Sequence, residues 1–147
     1  MKSQLFFYFG VLIAFNCCQQ ESNFPQGAWQ MVQANWVYGD SIVNVYPAVA
    51  RGKDIKIWSK NHYAYVGTFK FDTATSNFDH FGAGTYKLEG NRYEENLQFD
   101  YKKNAVGNTV KMLLELKNDT LYQSFPVTDN GEIDKDFHYV IKYMKLE

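Results

Sequence analysis

The chain has 147 residues, with 15 Lys+Arg against 16 Asp+Glu and a formal net charge of −1. That balance excludes a nucleic-acid binder, which needs a basic face for the phosphates; with arginine only at Arg51 and Arg92, bidentate anion clamps are scarce as well. The length suits one domain, and an aromatic content of 18% favours strands.

The chain opens as an address. Lys2 is the only charge before Glu21, and Leu5 to Phe15 form an apolar run of signal-peptide length. A spanning helix needs roughly 20 apolar residues, so the run reads as a removable export signal. It ends on Cys17-Cys18, the pattern of bacterial lipoprotein processing, in which a cysteine becomes the lipidated first residue. Asn16 before Cys17 departs from the small residue usual at that position, and Cys17 itself precedes Cys18, so either cysteine fits. These are the only 2 cysteines, and neighbours rarely bridge, so no disulfide framework is expected. The organisation that follows is a signal over 1–18, a polar tether over 19–25 containing Pro25, and a β-domain over 26–147. The expected location is the bacterial cell envelope, with membrane contact made through the lipid anchor.

Period-two runs separated by polar turns then occupy the chain to its end. Strands are predicted at 26–37, 53–60, 62–71, 80–88, 91–102, 108–117, 119–126 and 136–146, with 40–50 left as a loop holding at most a short extended piece. Ile55 and Ile57 alternate with Lys56 and Trp58. Tyr63, Tyr65, Phe69 and Phe71 share a face, as do Tyr93, Glu95, Leu97, Phe99 and Tyr101. Val110, Met112, Leu114 and Leu116 follow, then Leu121, Gln123 and Phe125, then Phe137, Tyr139, Ile141 and Tyr143. Glu89-Gly90-Asn91-Arg92 and Lys117-Asn118-Asp119-Thr120 are hairpin turns. Sequential hairpins with one apolar face end as a sandwich or a closed barrel. Turns this short favour an all-β, antiparallel up-and-down barrel of about eight strands, whose interior holds side chains or one small ligand.

Gly27-Ala28-Trp29 resembles the Gly-x-Trp signature that opens lipocalin barrels. Asn61-His62-Tyr63-Ala64, Gly84-Thr85-Tyr86-Lys87-Leu88, Gly90-Asn91-Arg92-Tyr93-Glu94-Glu95 and Val106-Gly107-Asn108 are similar to the pattern of a small lipocalin-like family of bacterial envelope lipoproteins. The resemblance spans most of 26–146 and implies a fold, not a cargo. Lipocalins pack a cation from the last strand over the signature Trp, a place that Lys142 or Lys145 would take here. The helix that usually follows that strand has no counterpart before Glu147.

Glu95 is the anomaly of the pattern, a carboxylate on an apolar face. Burial would oblige it to find a partner, and His62, Tyr86 and neighbouring tyrosines are the candidates. It would then orient a polar ligand group, pin the barrel interior, or sit near an open rim. His62 either caps a turn or reaches the lumen. Trp29, with Gly27, reads as a core plug at the closed end rather than a pocket floor. A small apolar or amphipathic ligand would be lined by Tyr65, Tyr86, Tyr93, Phe99 and Met112, with Glu95 and His62 supplying polarity. The rival is a solid barrel filled by the 12 Phe and 11 Tyr, acting through rim loops 38–52, 72–80 and 127–136 on an envelope protein. No nucleotide, nucleophile-elbow or cofactor fingerprint occurs, and the three histidines lack metal-ligand spacing. Glu94 and Glu95 are adjacent, so on a strand they face opposite ways. Only Glu95 with His62 suggests an acid–base pair, and the chain is read as non-enzymatic.

Overall fold

The computed structural model describes residues 24–146; the signal, Cys17 and Cys18 lie outside that range. Nine strands run β1 (Gly27–Tyr38), β2 (Ser41–Tyr46), β3 (Ala50–Trp58), β4 (His62–Phe71), β5 (Phe78–Glu89), β6 (Arg92–Asp100), β7 (Thr109–Lys117), β8 (Thr120–Phe125) and β9 (Phe137–Lys145). All pair antiparallel with their neighbours, and β9 returns to pair with β1 from Trp29↔Lys145 to Tyr38↔Phe137. The sheet is therefore a closed eight-strand barrel, and β2 is an extra strand. Closure gives every wall strand a partner on both sides, except that Ala50–Asp54 of β3 have no ladder partner on the β1 side, where β1 turns to β2.

β2 corrects the expected loop at 40–50. β1 is long enough to serve two partners on one side: Gly27–Gln30 pairs with β3, and Ala34–Tyr38 pairs with β2 across the turn at Gly39-Asp40. Its pattern is unreadable in sequence because Ile42 and Val43 face solvent and only Val45 is buried.

Tight turns join β3–β4, β5–β6 and β7–β8 at one end. At the last of these, Asn118 and Asp119 both take positive φ, as a type I′ hairpin requires. Residues 72–77, 101–108 and 126–136 make the longer connections at the other end. The tight-turn end is plugged. Trp29, Trp58, Tyr86, Tyr93, Leu114, Leu121 and Tyr143 are buried together there, and Phe24 packs beneath them. Trp29 donates its indole N–H to the Pro25 carbonyl at 2.7 Å, and the Lys145 ammonium lies 5.7 Å from its ring centre. Lys145, not Lys142, is thus the cation over this tryptophan. A Cβ on Gly27 would meet Lys145 Cε at 3.0 Å, and its φ of +120° also suits glycine.

Candidate functional site

The polar interior begins on β3, where the alternation resolves against hydropathy. Ile57 is half exposed, whereas Asp54, Lys56 and Trp58 face inward and are buried. The parity is set by neighbours: Trp58 pairs with Tyr63, and Lys56 lies between Trp29 and Tyr65. Bringing Trp58 into the plug brings Lys56 and Asp54 in with it.

Glu95 is interior, as its pattern requires, and Lys56 is its partner. The ammonium of Lys56 bonds Glu95 Oε1 directly, and it donates to Gln123 Oε1 at 3.2 Å. Both side chains of the pair are almost wholly excluded from solvent, at 3% and 4%. The same ammonium stands 5.1 Å from the ring centres of Trp58 and Tyr63, with Tyr93 and Tyr65 slightly further away. Aromatic faces stabilise a desolvated cation. Tyr93 donates to Glu95 Oε1 at 2.7 Å and receives the Trp58 indole N–H at 2.7 Å, tying the pair to the plug. The Tyr63 hydroxyl is buried with no hydrogen-bond partner among the described residues. Burial pushes the phenols of Tyr93 and Tyr63 well above their ordinary ionisation range, and the Glu95 charge pushes in the same direction.

Above this pair lies a second polar tier, built by two glycines. Asp54, Gly67 and His80 form one row across β3, β4 and β5, and Tyr65, Gly82 and Asp100 form another across β4, β5 and β6. In each row the outer residues meet over the glycine. His80 Nδ1 lies 2.8 Å from Asp54 Oδ2, and Tyr65 donates to Asp100 Oδ2 at 2.6 Å. A Cβ on Gly67 would lie 2.7 Å from Asp54 Oδ2, and one on Gly82 would lie 2.5 Å from the Tyr65 ring. Both strands need glycine for the crossings to form. Burial, then the bond to Asp100, raises the Tyr65 pKa.

Asp100 reaches the interior through a bulge. Ala83 pairs with Phe99 but Gly84 pairs with Leu97, so β6 holds one extra residue, Gln98. A bulge inverts the alternation beyond it. Tyr93, Glu95 and Leu97 point in, Phe99 points out with 67% exposure, and Asp100 turns in.

These groups line a cavity of about 280 Å³ at the end with the long connections. The wall from β3 to β6 is polar and aromatic, with Asp54, Lys56, Tyr65, His80, Glu95 and Asp100; the facing wall is mostly apolar, with Val110, Met112, Phe125 and Ile141 beside Gln123. Lys102 and Ala105, from the connection that carries the short 3-10 turn Lys103–Ala105, complete the mouth.

Of the residues singled out in sequence, Glu95, Tyr65 and Met112 border this cavity. Tyr93 lies beneath it in the plug. Tyr86 does too, donating to the Ser59 carbonyl at 2.8 Å. Two expectations are corrected. Phe99 is outside the barrel because of the Gln98 bulge. His62 is exposed and bonded to Asn61, because the tyrosines of opposite parity on β4 occupy the interior. It therefore forms no acid–base pair with Glu95. Asp54, Lys56, His80, Asp100 and Gln123 escaped the sequence reading. Three signals pointed to them: the Lys56–Trp58 parity, the demand of Glu95 for a partner, and the glycines inside β4 and β5. Among the described residues no three His, Cys, Asp or Glu side chains are grouped to hold a metal. No family model, no curated protein and no solved structure matches the chain.

Proposed function

We propose that this protein is a binding module of the bacterial envelope that holds one small amphipathic molecule in the mouth of its barrel. The single observation that carries the reading is the two-walled cavity above a filled plug, polar on one side and apolar on the other. A pocket with a few convergent polar groups on an apolar surround is the usual form of a small-molecule site. Its volume, about 280 Å³, lies just below the roughly 300–1,000 Å³ of drug-sized pockets, so the ligand is shorter than a long-chain fatty acid. The tether reading is compatible with access. The described chain begins at the plugged end, so an anchor attached through Cys17 or Cys18 leaves the mouth turned away from the membrane. The resemblance to envelope lipocalin-like proteins supports the envelope location and the barrel, and is silent on the ligand.

The test is a fluorescence titration of the full-length protein with short-chain amphipathic alcohols and amines, read from tryptophan. Saturable binding tighter than about 1 mM, equivalent to roughly −4 kcal/mol, is expected, and Val110→Trp should abolish it by filling the mouth. Absence of saturation with every compound refutes the reading.

One observation favours a second reading, an interaction protein. Ile57, Ala64, Ala83 and Phe99 are register partners across the outer wall of β3–β6, and Ile55, Val66 and Phe81 form a parallel row. Val66 and Phe99 are the most exposed of them, and exposed apolar patches mark contact surfaces. Under this reading Val66→Glu would disrupt the function while leaving the titration unchanged.

A further inference from the structure

We propose that the head group taken by this cavity is a protonated amine, so that the ligand is a small amphipathic organic cation with its ammonium between Asp54 and Asp100 and its tail on Val110, Met112 and Ile141. This rests on the lumen-binding reading and specifies its chemistry.

The charges inside the cavity do not balance. Three carboxylates line it, Asp54, Glu95 and Asp100, against one buried ammonium, Lys56. Lys56 is committed to Glu95 and Gln123 and enclosed by aromatic faces, so it neutralises Glu95 and little else. Lys102 is exposed and lies 5.4 Å from the Tyr101 ring centre at the rim. Asp100 receives a phenol O–H from Tyr65 and the backbone N–H of Lys102. Both donors are neutral, and no cation is paired with it among the described residues.

Asp54 is the stronger observation. It is 2% exposed, and within the described residues only its Oδ2 takes a hydrogen bond, from His80. Oδ1 takes none. His80 counters that charge only when its ring is protonated, so at a pH above the ordinary histidine range no cation stands beside this carboxylate in the cavity wall. A carboxylate with so little contact with water is poorly solvated, and a bound ammonium supplies it with both charge and N–H donors. The rings of Tyr65 and Tyr101 stand at the same end, and aromatic faces attract organic ammonium groups. An anionic head group would instead be placed beside two like charges, which disfavours it.

Hexylamine, hexan-1-ol and hexanoate, three probes with one tail and different heads, separate the possibilities. Calorimetric titration of the full-length protein at about pH 8, above the ordinary histidine range, should show hexylamine binding about tenfold or more tighter than hexan-1-ol, as a charge-assisted hydrogen bond gives. Hexanoate should bind weakest. Asp54→Asn and Asp100→Asn should each bring hexylamine down to the affinity of the alcohol. Asp100 is only partly buried, so its variant carries the test if Asp54→Asn does not fold. Equal affinity for amine and alcohol, tightest binding of hexanoate, or an unchanged amine preference in Asp100→Asn would overturn the amine assignment while the lumen-binding reading stands. Failure of all three probes to bind would overturn both.

Discussion

Substituting Lys56 with methionine tests the polar interior most directly. Methionine matches the length of lysine but leaves Glu95 with no cation, and at 4% side-chain exposure Glu95 has almost no water to replace it. Removing one partner of a buried pair costs about 3–5 kcal/mol. The hydrogen bond to Gln123 and the contacts with four aromatic faces are lost as well, so Lys56→Met should fall in the upper half of that range. Adding Glu95→Gln removes the stranded charge. The new amide keeps an acceptor for the Tyr93 hydroxyl. The double variant should therefore recover at least about 2 kcal/mol relative to Lys56→Met, since neutral replacement of a buried pair is often tolerated. Urea denaturation followed by tryptophan fluorescence gives both numbers, with Trp58 beside the substitution as reporter. A loss below about 1 kcal/mol for Lys56→Met, in the range of an exposed pair, would refute a desolvated interior. So would a double variant no more stable than the single one.

Two further outcomes follow from the core. Burial holds the Tyr93 and Tyr143 phenols protonated well above their ordinary range, aided by the charges of Glu95 on the first and of Asp54 and Glu95 on the second. The folded pKa exceeds the unfolded value near 10, so their contribution is intact below about pH 10 and declines above it, by about 1.4 kcal/mol per pH unit for each group. After accessible phenols such as Tyr38 have ionised, a last rise in phenolate absorbance should coincide with unfolding; complete ionisation of all the tyrosines in a still-folded barrel would contradict their burial. On β6, Leu97→Ala should cost about 2–4 kcal/mol as a core truncation, whereas Phe99→Ser, two residues away, should stay within about 0.5 kcal/mol. Equal losses by thermal denaturation would place Phe99 in the core and remove the bulge.

The fold was legible because the barrel repeats one signal. Alternating runs and hairpin turns recur, and each strand that buries an apolar face, from Tyr63–Phe71 to Phe137–Tyr143, advertises its own parity. β2 failed that test because its apolar residues point to solvent. The site was legible only at Glu95, whose polarity breaks an otherwise apolar face. Lys56 was hidden because the isoleucines of β3 advertise the wrong face. The decision is made by Trp29 and Tyr65 on neighbouring strands, a pairing that no local window contains. Asp100 was hidden by Gln98, since an alternation count carried through a bulge assigns every later residue to the wrong side. His80 and Asp54 are distant in sequence and meet only because Gly67 has no side chain to separate them.

Gln98 also bears on what the mouth of the barrel presents. It is a single unpaired residue in a ladder whose neighbours on both sides are in register. Deleting it would leave both registers intact, with Phe99 still opposite Ala83 on the outer wall and Asp100 still opposite Gly82 in the mouth. The exchange comes from the opposite event: with Gln98 kept but drawn into the ladder, the residues after it slip by one position and change face. The aromatic ring now on the outer wall would then enter the mouth, and the carboxylate now in the mouth would move to the surface. An acidic mouth would become a largely greasy one without any change of residue type, and the outer wall would lose an exposed aromatic in the same event. The chemistry of the mouth and that of the outer wall are thus coupled through the persistence of one bulge.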